Sequence, residues 1–189
     1  CLEAAAPMLE LFRQRSFRAQ TGNLGEHFAA DLSPVSGVEG LIVGARHHFE
    51  WWWLLAWAQG LGAGEARAEA DALYAFAARH GLDDQGFAID ECDPEGRQIR
   101  LSRRAWPQTE LIKAYINQAR QGAPGAAETA ADLTHKVLDS YLATEVPGLW
   151  MDQFDAEGRG MTAFVPASSL YHLVEAFREL LLFADAAGP

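Results

Sequence analysis

A histidine, a carboxylate and an aromatic plate share one helical face at His47, Glu50 and Trp51. They lie within the run His47-His48-Phe49-Glu50-Trp51-Trp52-Trp53-Leu54-Leu55. Residues three and four apart on a helix point the same way, so these three side chains are neighbours. Histidine titrates nearest neutral pH, and a helix N-terminus disfavours its cationic form. A neutral imidazole with a carboxylate one turn on has the makings of a general base. The simpler reading is a core histidine satisfied by a glutamate inside a Trp-rich helix. A metal site is not expected, because His47, His48 and Glu50 match no strong metal-ligand spacing.

The elements that must position this face follow from periodicity. Gly37, Gly40 and Gly44 form a loop that gives way to the apolar helix. Helical spacing predicts six stretches, near 3–19, 46–60, 65–80, 106–121, 126–144 and 168–185. Gly60-Leu61-Gly62-Ala63-Gly64 and Gly122-Ala123-Pro124-Gly125 read as turns closing helix–helix hairpins. In 126–144 the residues Ala130, Leu133, Val137, Leu138 and Tyr141 recur at helical spacing with charges between them, the pattern of a half-exposed outer helix. Trp51–Trp57 is apolar nearly all round, the pattern of a helix buried on several sides.

The connections resemble one another at a period near 60 residues. Thr21–Phe28, Gly81–Phe87 and Gly148–Phe154 each carry a Gly, then acids, then a Phe. The last two run on to Asp93-Pro94-Glu95-Gly96 and Asp155-Ala156-Glu157-Gly158, turn residues between short extended runs, so small β-hairpins are expected. Repeats of this kind bury their faces by stacking on neighbours. After each connection a helix starts: at His47, at Trp106-Pro107-Gln108-Thr109-Glu110, and at Ser168-Ser169-Leu170-Tyr171-His172. Pro107 suits a first helical turn and Ser168 an N-cap. Stacked in register, the three starts would meet, with His47, Glu110 and His172 facing a common pocket. Singly, His172 reads as a core histidine and Glu110 as a surface charge.

Composition limits the alternatives. At 189 residues with 49% hydrophobic content and six tryptophans, the chain can fill a sizeable core. Its net charge of −11 repels a phosphate backbone, so no nucleic-acid partner is expected. Apolar runs stop well short of the roughly 18–20 residues of a membrane span, and no secretory pattern opens the chain. Cys1 and Cys92 give neither a disulfide framework nor a metal-binding spacing, and a reducing cytoplasm is the expected compartment. A start at Cys1 reads as truncated or processed.

Three motifs make a resemblance specific. His47-x-x-Glu50-Trp51-x-Trp53-Leu54-Leu55, Trp106-Pro107-Gln108-Thr109-Glu110-x-x-Lys113-Ala114 and Pro166-x-Ser168-Ser169-x-Tyr171-His172 resemble the N-acylglucosamine 2-epimerase family. That family also includes mannose isomerases, a phosphomannose isomerase-like branch and cellobiose 2-epimerase. Upstream, Thr21-Gly22-x-Leu24-x-Glu26-x-Phe28 fits the same pattern. Ala45-Arg46 stands where the family usually has Pro-Gly. The resemblance implies an all-α fold, an (α/α)6 barrel with short β-hairpins in its connections, of which residues 1–189 would be a single domain forming the C-terminal half.

The resemblance also implies a mechanism. A proton leaves C2 of an open-chain aldose and returns to C2 on the other face, or to C1. His47 and His172 are the implied acid and base, with Glu50 supporting His47. Trp51, Trp106, Gln108 and Glu110 are the candidates for sugar binding. No cofactor or metal is called for. Arg46, and Arg103-Arg104 before Trp106, present donors suited to a phosphate, although such arginines often pair with acids such as Glu39 or Glu110. The expected activity is mannose or mannose 6-phosphate going to the ketose. N-acylglucosamine 2-epimerisation is the alternative, and a non-catalytic helical-repeat binding or assembly module is the second. The expected partners are a sugar or sugar phosphate, and either another copy or the missing N-terminal half-barrel.

Overall fold

The computed structural model describes residues 2–187. Cys1, whose position suggested a truncated start, lies outside them. The chain forms two compact units, Cys1–Leu82 with Ile89–Arg100, and Asp83–Ala88 with Leu101–Pro189. Among the described residues no helix is long and apolar enough to cross a membrane.

In the first unit, α1 (Leu2–Leu11) runs into a wide π turn, Phe12–Ser16, and then strand β1, Phe17–Arg18. The sequence predicts helix as far as 19, and tertiary pairing overrides that preference. Phe17 and Arg18 pair antiparallel with Leu24 and Asn23 of β2 (Asn23–Leu24). The π turn also brings Phe12 into a stack on Trp51, 4.5 Å between centroids. Next, α2 (Ala45–Gly60) and α3 (Arg67–His80) form a helix hairpin. Phe49, Trp52 and Leu55 of α2 and Ala70, Leu73, Phe76 and Ala77 of α3 are buried. Trp57 is 60% exposed, so α2 is not enclosed on several sides as its composition suggests. β3 (Glu91–Cys92) and β4 (Gln98–Arg100) close the unit as a bulged antiparallel pair. Cys92 exchanges both backbone hydrogen bonds with Val43, tying that hairpin to the approach to α2.

In the second unit, β5 (Arg103–Arg104) leads directly into α4 (Ala105–Arg120). Its first half is buried on all sides, including every residue from Pro107 to Ala114. α5 (Ala126–Val137) buries Ala130, Leu133 and Val137 and exposes Glu128, Asp132 and Lys136, the outer-helix pattern expected. It too ends early, in a π turn over Leu138–Leu142 that turns Tyr141 inward. Tyr141 packs edge-on against Phe87 and Phe154, and its hydroxyl donates to the Arg103 carbonyl. β6 (Gln153–Phe154) pairs with β5. A short 3₁₀ turn, Ala167–Ser169, then opens α6 (Leu170–Ala187), which packs on α4.

One turn recurs three times, at Asp83, Asp93 and Asp155. Each Asp Oδ1 accepts the N–H groups of the residues two and four further on. The third residue after each Asp is a glycine in the left-handed region: Gly86, Gly96 and Gly158, with φ of 83°, 86° and 82°. A side chain there would be strained, which is why the Asp-x-x-Gly spacing is legible as a turn.

Candidate active site

The first unit arranges its candidate residues around a helix start that has no side-chain cap of its own. Gly44 precedes α2, and its N–H donates to Glu26 Oε1 at 2.5 Å. A carboxylate at a helix N-terminus is favourable, and here it comes from a loop far back in the chain. A Cβ at 44 would lie 2.5 Å from that same oxygen, so any larger residue there would displace the Glu26 carboxylate from this place. Glu26 Oε1 also meets His47 Nδ1 at 3.1 Å, and Arg46 approaches Oε2 at 3.8 Å. Burial works against the Glu26 charge. The hydrogen bond and charge of His47, the Arg46 guanidinium and the Gly44 N–H outweigh it and hold the carboxyl below its usual range. Arg46 also reaches the Asp90 carbonyl at 3.2 Å and its carboxylate at 4.0 Å, so it meets acids at both Glu26 and Asp90.

His47 is about one-third exposed and borders a cavity of about 410 Å³ with Glu26, His27, Phe28, Arg46 and Trp51. His48 is turned away and fully buried. Its Nε2 accepts the Leu24 N–H at 3.1 Å, so Nδ1 carries the proton and donates to the Gly44 carbonyl at 3.0 Å. Burial pushes its pKa down to about 4, ahead of the opposing hydrogen bond to Gly44. With both nitrogens used, His48 is a neutral strut and not a metal ligand. Glu50 is half-buried on the same helix.

The second unit brings together two of the expected residues. His172 Nδ1 lies 2.6 Å from Glu110 Oε1, and the same oxygen takes Lys113 Nζ at 2.7 Å. All three are buried, and Glu110 is completely so. A buried carboxylate needs such partners, since removing it from water unpaired is costly. Trp106 stacks on the His172 ring at 4.9 Å and fixes its plane. Asp152, whose carbonyl accepts the Ala105 N–H, takes the Ser169 hydroxyl at 3.1 Å and so anchors the start of α6. Ser169, rather than Ser168, makes this contact.

Gln108 is fully buried. Its amide accepts the Ala88 N–H and donates to the carbonyls of Ala88 and Arg104, so all of its polar atoms bind backbone. Arg104 forms no ion pair among the described residues. Glu26, Asp90 and Lys113 are the charged groups that reasoning from the sequence did not place at the site. Lys113 had a signal, standing three residues after Glu110 on one helix face. Glu26 stood in the upstream motif with nothing to tie it to His47, and Asp90 stood in none of the motifs.

Residues 2–176 match the family described as N-acylglucosamine 2-epimerase (GlcNAc 2-epimerase). The chain is 33% identical over 181 residues to a mannose-6-phosphate isomerase of Rhizobium meliloti, covering 93% of this chain and 47% of that protein. Among solved structures it is similar to a sugar epimerase from a ruminal bacterium, with a TM-score of 0.74 and 17% identity over 91% of this chain and 46% of the other. A D-mannose isomerase gives 0.71 and 16%, over 87% and 45%. The cellobiose 2-epimerase of Spirochaeta thermophila gives 0.68 and 20%, over 94% and 50%. At these identities the structures speak for the fold alone, that of about half an (α/α)6 barrel. The chain spans about half the length of the relatives it matches. Over nearly all of its length, the chain belongs to the N-acylglucosamine 2-epimerase family.

Proposed function

We propose that the protein is a sugar isomerase or 2-epimerase that moves the C2 proton of an open-chain aldose with His47 and His172. The observation that carries this reading is the same couple found in each unit. His47 Nδ1 faces the Glu26 carboxylate and His172 Nδ1 faces the Glu110 carboxylate. A carboxylate only accepts, so Nδ1 is the donor in each ring, and the neutral tautomer this selects has its lone pair on Nε2. One histidine takes the C2 proton, and the electron pair moves into an enediolate. A proton delivered to C1, with the O2 proton passed on to O1, gives the ketose, whereas delivery to the other face of C2 gives the epimer. This chemistry needs no electron acceptor and no group transfer. Glu50, Trp51, Trp106 and Glu110 support the histidines or the sugar.

Mannose or mannose 6-phosphate is the favoured substrate, in keeping with the activity named for the Rhizobium relative. N-acylglucosamine epimerisation is the alternative. Full-length protein incubated with each aldose in deuterated water should incorporate deuterium at C2. Replacing His47 or His172 by Asn should slow that exchange by at least about two orders of magnitude. Wild-type rates in either variant remove that histidine from the role. For the phosphate, Arg46 is engaged by two acids and Arg104 carries no ion pair among the described residues. Arg104→Ala should therefore reduce kcat/KM for mannose 6-phosphate more than for mannose. Equal effects on both sugars, or a wild-type preference for the free sugar, would rule out phosphate recognition by this arginine.

A further inference from the structure

Glu26 lies 21 positions before His47 and reaches it through a loop whose path is fixed at several points. The Arg18 guanidinium donates to the Gly40 carbonyl at 3.0 Å, tying β1 to the segment ahead of α2. Leu24 is held by His48, and Gly44 closes on the Glu26 carboxylate with no room for a Cβ. The carboxylate is nine-tenths buried and receives the Gly44 N–H, His47 Nδ1 and, more loosely, Arg46. Glu50 sits on the histidine's own helix and moves with it, whereas Glu26 holds the ring from a separate segment. A ring gripped by a second segment cannot swing about χ1 without breaking a charge-assisted hydrogen bond.

We propose that Glu26 is a positioning residue for His47. Its Oε1 takes the Nδ1 proton, sets the tautomer with the lone pair on Nε2, and supports the imidazolium that forms when Nε2 accepts a proton. The Gly44 N–H and Arg46 keep Glu26 ionised for this task. Arg46 shares the carboxylate from the other oxygen, so its charge limits how strongly Glu26 favours the cationic ring. The proposal rests on reading His47 as a proton-transfer residue.

The experiment uses the full-length protein with Glu26→Gln, Glu26→Asp and His47→Asn. Glutamine keeps an acceptor for the Gly44 N–H but removes the charge. Glu26→Gln should lower kcat about ten- to a hundredfold with KM nearly unchanged, and move the limb of the pH–rate profile assigned to His47 to lower pH. Glu26→Asp keeps the charge one methylene further back and should recover part of the rate. Independently of activity, ring nitrogen NMR of wild-type His47 should show the Nδ1–H tautomer in the neutral form, and Glu26→Gln should weaken that preference. A merely structural role would lower the melting temperature and leave the tautomer and the pH limb in place. That result overturns the proposal, as does an Nε2–H tautomer in wild type. Should Glu26→Gln fail to fold, the wild-type tautomer and the Asp variant still decide. If wild type exchanges no C2 proton, the isomerase reading fails, and the tautomer alone then judges Glu26. If wild type is active and His47→Asn is not, wild-type behaviour in Glu26→Gln sinks only the claim about Glu26.

Discussion

Helices α2 and α4 start sixty residues apart, at Ala45 and Ala105, and have equal lengths. Their fourth residues, His48 and Gln108, do the same mechanical work. Each is fully buried, and each uses both a donor and an acceptor to hold backbone at the preceding connection and at the helix start. The sixth residues are both glutamates and differ in burial. Glu50 is half-buried, while Glu110 is enclosed with Lys113 and His172. At the ninth position α2 carries Trp53 where α4 carries Lys113. The repeat thus keeps the fastening of loop to helix and varies the charge built beside it. The catalytic histidine of the proposal also differs in origin. His47 belongs to α2 itself, whereas His172 comes to Glu110 from α6.

The enclosed carboxylate gives the largest expected effect. Glu110→Ala takes from buried Lys113 and His172 the carboxylate oxygen they share, and breaking a buried pair in this way typically costs about 3–5 kcal/mol. Glu50→Ala, at the half-buried equivalent, should cost about 1 kcal/mol or less. Urea unfolding of the two variants measures the difference. Equal losses would mean that the difference in burial between the two carboxylates does not set the cost.

The fastening residues differ in one respect: His48 can take a proton and Gln108 cannot. Its folded pKa, about 4, lies below the ordinary 6.5. The neutral ring therefore contributes fully above about pH 6.5, and stability is lost as pH falls, because the unfolded chain binds the proton first. The loss should run from about pH 6.5 down to about pH 4 and reach the order of 3 kcal/mol. His48→Gln imports the α4 solution, with the amide donating to Gly44 and accepting from Leu24. It should fold and lack this component of acid sensitivity. His48→Ala should be destabilised by about 2 kcal/mol at neutral pH, through the unpaired Leu24 N–H and the space left. An unchanged acid profile in His48→Gln would mean that His48 is not the group responsible.

These contrasts also explain what the sequence could disclose. The starts of α2 and α4 and the Asp-x-x-Gly turns are local events, fixed by spacing and by glycine, and they were legible. The exposed and buried faces of α5 followed from periodicity alone. The early ends of α1 and α5 were not, because each helix yields to partners elsewhere in its unit: Leu24 and Trp51 in one case, the Arg103 carbonyl in the other. At the candidate site, His47, Glu50, Glu110 and His172 were visible as types recurring at helix starts. The grip of Glu26 on His47 was not, since a loop contact 21 residues away leaves no period in the chain. Gln108, expected among the sugar-binding groups, shows the converse limit. Its place in a motif was readable, but the three backbone bonds that occupy its amide were not.

The smallest effect separates two copies of the same turn within the second unit. Asp83 and Asp155 each hold two backbone N–H groups on Oδ1 and an arginine on Oδ2. For Asp83 the arginine is Arg103, buried, donating at 2.6 Å and lying 4.5 Å over the Phe87 ring. For Asp155 it is Arg159, whose side chain is 74% exposed. A buried guanidinium adds packing and a desolvated ion pair, whereas an exposed one is solvated almost as well without its partner. Arg103→Ala should therefore lower unfolding free energy by an amount on the order of 2 kcal/mol. Arg159→Ala should leave the unfolding midpoint unchanged, because the Asp155 turn is closed by backbone N–H groups and by Gly158 without the arginine. A clear loss in Arg159→Ala would show that the surface ion pair, rather than the Asp–backbone closure, holds the turn.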